Sequence, residues 1–574
     1  MNVDRTRSPW TINELLFIIL SHLDDRSLSK VVTVCKQWSE IALDILWRDV
    51  VDLRRLLSIL APFTRKSQKS TFSQGLAAVY VFGRKPQASD WQRFQRYALR
   101  VRRILYNQRP TLKARRRHLS ASVFEDIATT CPTPEVFPNL HSLTWCYCTP
   151  DRQPLSLVFM HEKVKHLSLQ LYRSQIIPLS PYLEQVVARS PSVTHLELRS
   201  DSPMSDLEDD LVPFLRGMQA LQELLVPMYC LTSRVISALS ELANLSAVGF
   251  AKPAELGNGD REDVVQFAPT CGEDAFPSLR RLCFSSHIPD AIRFLTGDFS
   301  HLTKLYVHTI AIAATQDVRE FFVTVQDRCH DLQEFFVDFI IGPDSPLIFP
   351  ATPAHQRPNV DTFRPLFSCR RLRKFEFRWD LPLNLTDQDA EELASNWASL
   401  EVLLLNCEPV PLAEAGGPHL SLRALLPFAR HCPDLRHLGL YVNATAPYLA
   451  HFMAQPQPVV PFSRLEKLTI GLSAIDHAEP AALFLSQLLP LGCEIIAGLR
   501  WPDAYGIALD TAGIVDELRA KMTEWWDGGE EEARLPGTRG PGLAQLPWFD
   551  TVMTLSPFTC PLRSPSFSPS FVRQ

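Results

Sequence analysis

The chain has 574 residues, with 58 Lys and Arg against 63 Asp and Glu and a formal net charge of -5. That near balance excludes a global field for nucleic acid or anionic membrane, and a hydrophobic share of 46% excludes a chain too polar to bury a core. No apolar run approaches the ~18 residues of a membrane span, and the thirteen Cys are scattered without a CxxC pair, as expected of free thiols in a reducing compartment.

The first predicted elements are three short helices over residues 10–50. Thr11 and Glu14 stand at capping-box spacing, and Trp10 and Leu15 at that of a hydrophobic staple. One face of helix 1 runs through Ile12, Leu15, Leu16, Ile19, Leu20 and Leu23, while Phe17 and Ile18 are apolar off that face. A helix apolar on two sides needs two apolar surroundings. Asp24 and Asp25 start helix 2, which offers Leu28, Val31 and Val32. Helix 3 repeats the period through Val34, Cys35, Trp38, Ile41, Ala42, Ile45 and Leu46, with Trp47 at its end. About forty residues cannot bury this much surface alone, so a partner is expected.

Residues 51–95 read as a linker with a helix near Leu56–Leu60 and a strand at Ala78–Phe82. The basic stretch Lys113–His118 reads as a solvated loop, with a nuclear address or phosphate patch as the sharper alternative. From about residue 100 the phrase L-x-x-L-x-L recurs with aliphatic or aromatic substitutes. It begins at Leu140/Leu143/Trp145, passes through copies such as Leu196/Leu198, Leu302/Leu305/Val307 and Leu372/Phe375/Phe377, and ends at Leu465/Leu468/Ile470. Twelve copies give a mean step of about 30 residues, close to the leucine-rich-repeat range. Val101/Ile104/Tyr106 is an earlier copy, and Cys493/Ile496 closes the array. Helical stretches lie between copies, at Tyr182–Arg189, Val318–Arg328 and Leu422–His431. Strand and helix in alternation make a parallel sheet lined outside by helices. Unequal steps place insertions at 200–212, 252–275, 342–365 and 409–420, with Asp206 to Asp210 a solvated acidic loop.

The order Glu14-Leu15-Leu16, Ser21-His22-Leu23-Asp24, Ser27-Leu28, Val34-Cys35-Lys36-Gln37-Trp38 and Leu46-Trp47-Arg48 resembles the F-box, with Thr11-Ile12 where many F-boxes carry Leu-Pro. With the repeats behind it, the chain resembles fungal F-box proteins with irregular leucine-rich repeats. The expected fold is therefore α/β: an irregular leucine-rich-repeat solenoid preceded by a small three-helix F-box. Its parts are the F-box at 10–50, the linker at 51–95, the solenoid at 96–500, a C-terminal cap helix at 501–526 and a mostly disordered tail at 527–574.

The resemblance implies docking on a Skp-type adaptor, and through it a cullin and a RING protein. The contact candidates it carries over are Ile12, Leu15, Leu16, Ile19, Leu20, Leu28, Val34, Trp38 and Trp47. Strand alternation turns a second set of residues toward the concave face. Of these, Arg199, Lys304, Tyr306, His308, Phe336, Lys374, Arg378 and Tyr441 are the candidates for holding a target protein, because aromatics beside Arg and Lys are typical of binding hot spots. No HExxH, GxSxG or P-loop pattern occurs, and sixteen His are spread without metal-ligand spacing, so no enzyme, cofactor or metal is expected. The reading is a substrate-recognition subunit of a cullin–RING ubiquitin ligase in the cytoplasm or nucleus, binding neither nucleic acid nor membrane. The alternative is a non-degradative scaffold that binds the adaptor outside any ligase.

Overall fold

The computed structural model describes residues 12–498 apart from 70–75, 108–116, 147–149, 173–177, 252–255, 258, 340–355, 410–419, 446–458 and 476–477. The expected cap helix at 501–526, the tail and the cap residue Thr11 lie outside the described residues. Two compact units divide the chain, Met1–Asp263 and Val264–Gln574.

The first unit opens with three helices, α1 (Asn13–Ser21), α2 (Asp25–Val31) and α3 (Lys36–Arg48). Helix α3 runs directly into β1 (Asp49–Val50), and α4 (Leu53–Leu57) follows. Next come β2 (Phe63–Lys69), β3 (Leu76–Phe82), α5 (Ala88–Ala98), β4 (Arg103–Asn107), β5 (Arg117–Leu119) and α6 (Ala121–Thr130). Then strand and helix alternate: β6 (Ser142–Cys146), β7 (His166–Gln170), α7 (Ser180–Arg189), β8 (His195–Arg199), α8 (Glu208–Gly217), β9 (Glu223–Pro227), α9 (Ser233–Ser240) and β10 (Ala247–Ala251). The parallel order is β1-β4-β6-β7-β8-β9-β10, while β2, β3 and β5 form a separate small sheet.

In the second unit the order is β11 (Arg281–Ser286), β12 (Lys304–Thr309), β13 (Glu334–Asp338), β14 (Lys374–Arg378), β15 (Val402–Leu405), β16 (His437–Leu440), β18 (Lys467–Gly471) and β20 (Glu494–Ala497). Two short strands, β17 (Asn443–Ala444) and β19 (Ala474–Ile475), pair beside it.

All twelve recurring phrases become strands of these sheets. Their second apolar positions stand in one register with Ile104 of the earlier copy, and in the first unit these are Leu143, Leu167, Leu196, Leu224 and Val248. In the second, the row is Leu282, Leu305, Phe335, Phe375, Leu403, Leu438 and Leu468. All are buried. Each repeat leaves its apolar edge for the next to cover, which is why the array is stable only when stacked.

One expectation changes here. The stretch Asp206 to Asp210 is not a solvated loop, because Glu208, Asp209 and Asp210 form the first turn of α8. Acids there favour the helix N-terminus, and Arg234 holds Glu208 and Asp209 at 3.0 and 2.8 Å. Helix α1 starts after Ile12, whose side chain makes no cap, and the expected capping box falls on Thr11, outside the described residues. By contrast Asp24 caps α2 through the Ser27 N–H at 2.9 Å, and hydrogen bonding from the Ser27 side chain, then from its N–H, holds the Asp24 carboxyl below the usual range.

Sequence reasoning missed the tie between repeats at Asn406. Its φ is 48°, a conformation Asn tolerates better than most residues. Its side chain accepts from the Trp379 N–H at 2.9 Å and donates to the Leu381 carbonyl at 2.8 Å.

In the former linker, Asp90 is the organising charge. It takes a fork from Arg84, at 2.5 and 2.9 Å, and the Gln87 N–H at 2.9 Å. The Arg84 hydrogen bond first, then that of Gln87, holds its carboxyl down to about 2. Asp90→Ala should cost about 2 kcal/mol, read as lost hydrogen-exchange protection in α5. Because the folded pKa is depressed, the contribution is complete above pH 3.8 and is lost as pH falls toward about 2. The gap between wild type and Asp90→Asn should close over that window.

Candidate functional site

The module at residues 12–48 has a core of Leu16, Leu20, Leu28, Ile41 and Ala42, with Phe17, Val31, Val32, Trp38, Ile45 and Leu46 packed against it. The Gln37 amide donates to Asn13 at 2.8 Å and ties α3 to α1. The core uses one side of α1. The other side is left open: Leu15 is 41% exposed, Ile18 55%, Ile19 41% and Leu23 38%, and Val34 after α2 is 61% exposed. Half of the exposed large apolar side chains among the described residues therefore fall between positions 15 and 34. Single exposed apolar residues are ordinary, but a contiguous group marks an interaction surface.

The nine adaptor candidates thus separate. Leu15, Ile19 and Val34 are exposed, Ile12, Trp38 and Trp47 are half-buried, and Leu16, Leu20 and Leu28 are core. Trp47 meets Tyr97 edge-on at 5.5 Å, with the Arg55 guanidinium 5.3 Å from its ring, so it serves the joint to the next domain. Ile18 and Leu23 belong to the open ridge and were not among the candidates. The signal was there for Ile18, an apolar residue off the main helical face.

The joint is polar and close. Arg100, two residues after α5, reaches back to Glu40 and Asp44 of α3 and donates to the Glu40 carbonyl at 3.1 Å. The Arg100 bond to the Glu40 carboxylate, ahead of the opposing desolvation, holds that carboxyl below its usual range. Arg103 of β4 clasps Asp49 of β1 through two bonds, at 2.6 and 2.8 Å.

The second candidate set lies on the sheet face turned away from the helices. Strand register gathers it into rows. In the second unit, Lys304, Glu334 and Lys374 are neighbours in one row, Tyr306, Phe336 and Glu376 in the next, and His308, Asp338 and Arg378 in the third. Glu334 bridges Lys304 at 3.1 Å and Lys374 at 2.7 Å. Burial pushes its carboxyl up, but the two ammonium groups outweigh burial and hold it below its usual range. Tyr306 stacks on Phe336 at 4.2 Å, and Arg378 meets Asp338 at 3.1 Å. Burial of its hydroxyl, then the Asp338 carboxylate, pushes the Tyr306 phenol well up.

Here the expectation of an open face is corrected. Lys304, His308, Phe336 and Arg378 are at most 5% exposed, as are their neighbours Asp338, Glu376 and Glu408. Alternation fixes direction, not exposure, and these residues form a buried polar layer with further contacts of their own. Half-buried, and so within reach, are Tyr306, Lys374 and Tyr441 in this unit and Arg199 in the first. Arg199 folds onto Glu197 at 2.6 Å. No group of three or more His, Cys, Asp or Glu stands in metal-holding geometry among the described residues, and none of the described helices is long and apolar enough to cross a membrane.

Residues 13–52 match the F-box-like family model. No curated protein matches this chain. Among solved structures it is similar to the leucine-rich repeat-containing protein LegL7 from Legionella pneumophila, at 12% identity and a TM-score of 0.30, over 52% of this chain and 89% of that one. It is similar to the complex of Rad7 and Elc1 in yeast, at 18% identity and 0.32, over 62% and 78%. It is also similar to the TLR13–ssRNA13 complex, at 14% identity and 0.34, over 71% and 58%.

The two sides of α1 should respond in opposite ways. Leu16→Ala should destabilise the module by about 3 kcal/mol, whereas Ile18→Ala should change stability by less than about 0.5 kcal/mol. Urea denaturation followed at Trp38 measures both.

Proposed function

We propose that this chain is the substrate-recognition subunit of a cullin–RING ubiquitin ligase, an F-box protein with leucine-rich repeats of the kind found in fungi. One observation carries the reading: an F-box-like module whose α1 ridge, Leu15, Ile18, Ile19 and Leu23, with Val34 nearby, is apolar and uncovered. A Skp-type adaptor is the partner that would cover it, with a cullin and a RING protein behind. Leu16, Leu20 and Leu28 hold the ridge in shape from within.

The chain's contribution is then positioning, not bond chemistry. The adaptor arm and the target are two ligands of one chain. Holding them together converts an encounter between target lysine and charged ubiquitin carrier into a local event at high effective concentration. The fused joint of α3 and β1 supports this, since a loose joint would dilute that gain. The residues best placed to touch a target are the half-buried Arg199, Tyr306, Lys374 and Tyr441, with Phe336 and Arg378 as their support. The chain would work in the cytoplasm or nucleus.

Co-purification tests the reading. The full chain should recover both adaptor and cullin, and Ile18→Asp with Ile19→Asp should lose both, by more than about tenfold, with an unchanged circular dichroism spectrum. Recovery of adaptor without cullin would establish the scaffold alternative, and recovery of neither would overturn the proposal. Proximity labelling with that double variant should show targets accumulating, and adding Lys374→Glu with Tyr441→Ala should remove them. Point variants suit this better than truncation at residue 50, which would also delete β1.

A further inference from the structure

A feature outside the α1 ridge stands in the small sheet of the same unit. Between residues 53 and 118 the chain carries seventeen Lys and Arg and a single acid, Asp90. Most of the described cations there are paired, Arg54 with Asp52, Arg55 with Asp25, Arg84 and Arg93 with Asp90, Lys85 with Asp126, Arg96 and Arg100 with Glu40, and Arg103 with Asp49. Arg65 and Lys66 of β2 are exposed and make no ion pair among the described residues.

Strand β2 is also the outer strand of its sheet, whose order is β2-β3-β5. Its ladder to β3 is antiparallel, with Phe63 opposite Phe82 and Arg65 opposite Tyr80. The Gly83 N–H donates to the Pro62 carbonyl at 2.8 Å, and the Ser120 N–H donates to the Tyr80 carbonyl at 2.9 Å, on the β5 side. In an antiparallel ladder hydrogen-bonded and non-bonded pairs alternate. The even-numbered residues of β2 therefore bond β3. The odd ones, Phe63, Arg65, Ser67 and Lys69, direct their N–H and C=O groups to the open edge.

We propose that this edge is a docking site for an extended acidic peptide, which adds to β2 as a fourth strand. Main-chain bonds from the odd positions supply affinity. Side chains of successive strand residues project to opposite faces, so Arg65 meets carboxylates on one face and Lys66 on the other. Nucleic acid fits less well, because bases need free ring faces. Here Phe63 stacks on Phe82 at 4.9 Å, and the Arg54 guanidinium lies 5.1 Å from the Tyr80 ring. Basic residues on an edge also deter unwanted pairing between like strands, and the same charges select an acidic one. The proposal does not depend on adaptor binding.

Fluorescence anisotropy with the full chain tests it, using labelled twelve-residue peptides of alternating Glu-Thr and alternating Glu-Pro and a twenty-nucleotide oligothymidylate. The Glu-Thr peptide should bind more tightly than Glu-Pro by about tenfold or more, since both carry equal charge but proline cannot complete a ladder. Ser67→Pro, which removes one outward N–H and no cation, should weaken Glu-Thr binding by a similar factor, and so should Arg65→Glu with Lys66→Glu. Should Ser67→Pro fail to fold, the two peptides and the charge variant still decide. Equal affinity for both peptides, tighter binding of the oligothymidylate, or no peptide binding would each overturn the proposal.

Discussion

Everything in the first unit depends on the passage from α3 to β1. The last helix of the F-box-like module has no loop after it, and its next two residues are already the first strand of the parallel sheet. Arg100 closes the angle by reaching across to Glu40 and Asp44, and Arg103 does the same for Asp49. The Arg100 side chain is only 12% exposed, so these bonds are less screened than surface pairs. A module that might have been tethered is instead built into the sheet. Its open apolar ridge therefore has a fixed bearing on the first repeats.

The sheet face in the second unit obeys a different constraint. Burying charge is expensive unless each group is paired and hydrogen-bonded. The parallel register meets that demand by setting unlike groups side by side, Lys304 beside Glu334 beside Lys374, and Asp338 beside Arg378. Slipping one strand by a residue would put an aliphatic side chain into the layer and a charge into the core. The polar layer thus pins the register as firmly as the leucines do. It does so at the strands where repeat spacing is least regular, between Leu332 and Leu372.

How much of this was legible follows from what each pattern encodes. The strands were readable because L-x-x-L-x-L fixes both period and burial, and each copy became a strand. The division of α1 was not. Leu15-Leu16 and Ile19-Leu20 are adjacent apolar pairs, and a 3.6-residue period places both members near one stripe. Only the packing of α3 chose Leu16 and Leu20 for the core. The buried state of Phe336 and Arg378 was hidden for another reason, since alternation tells which face a side chain takes and nothing of what covers that face. The acids at the start of α8 were read by composition as loop, yet their position before Leu211 and Leu215 was a helix signal. Asn406 could have been found, because Asn directly after a strand is a residue suited to φ > 0.

Charge shows the same gap between averages and places. A net charge of -5 over 574 residues rules out a field that acts on the whole molecule. It does not rule out a local one, because screening at physiological salt acts over about 8 Å, less than the width of two strands. Within that range Arg65 and Lys66, exposed and without an ion pair among the described residues, meet their own surroundings and not the balance of the chain. Two copies meeting at their basic edges repel, while an acidic strand is drawn in. An edge that would be a hazard if neutral becomes selective by its charge.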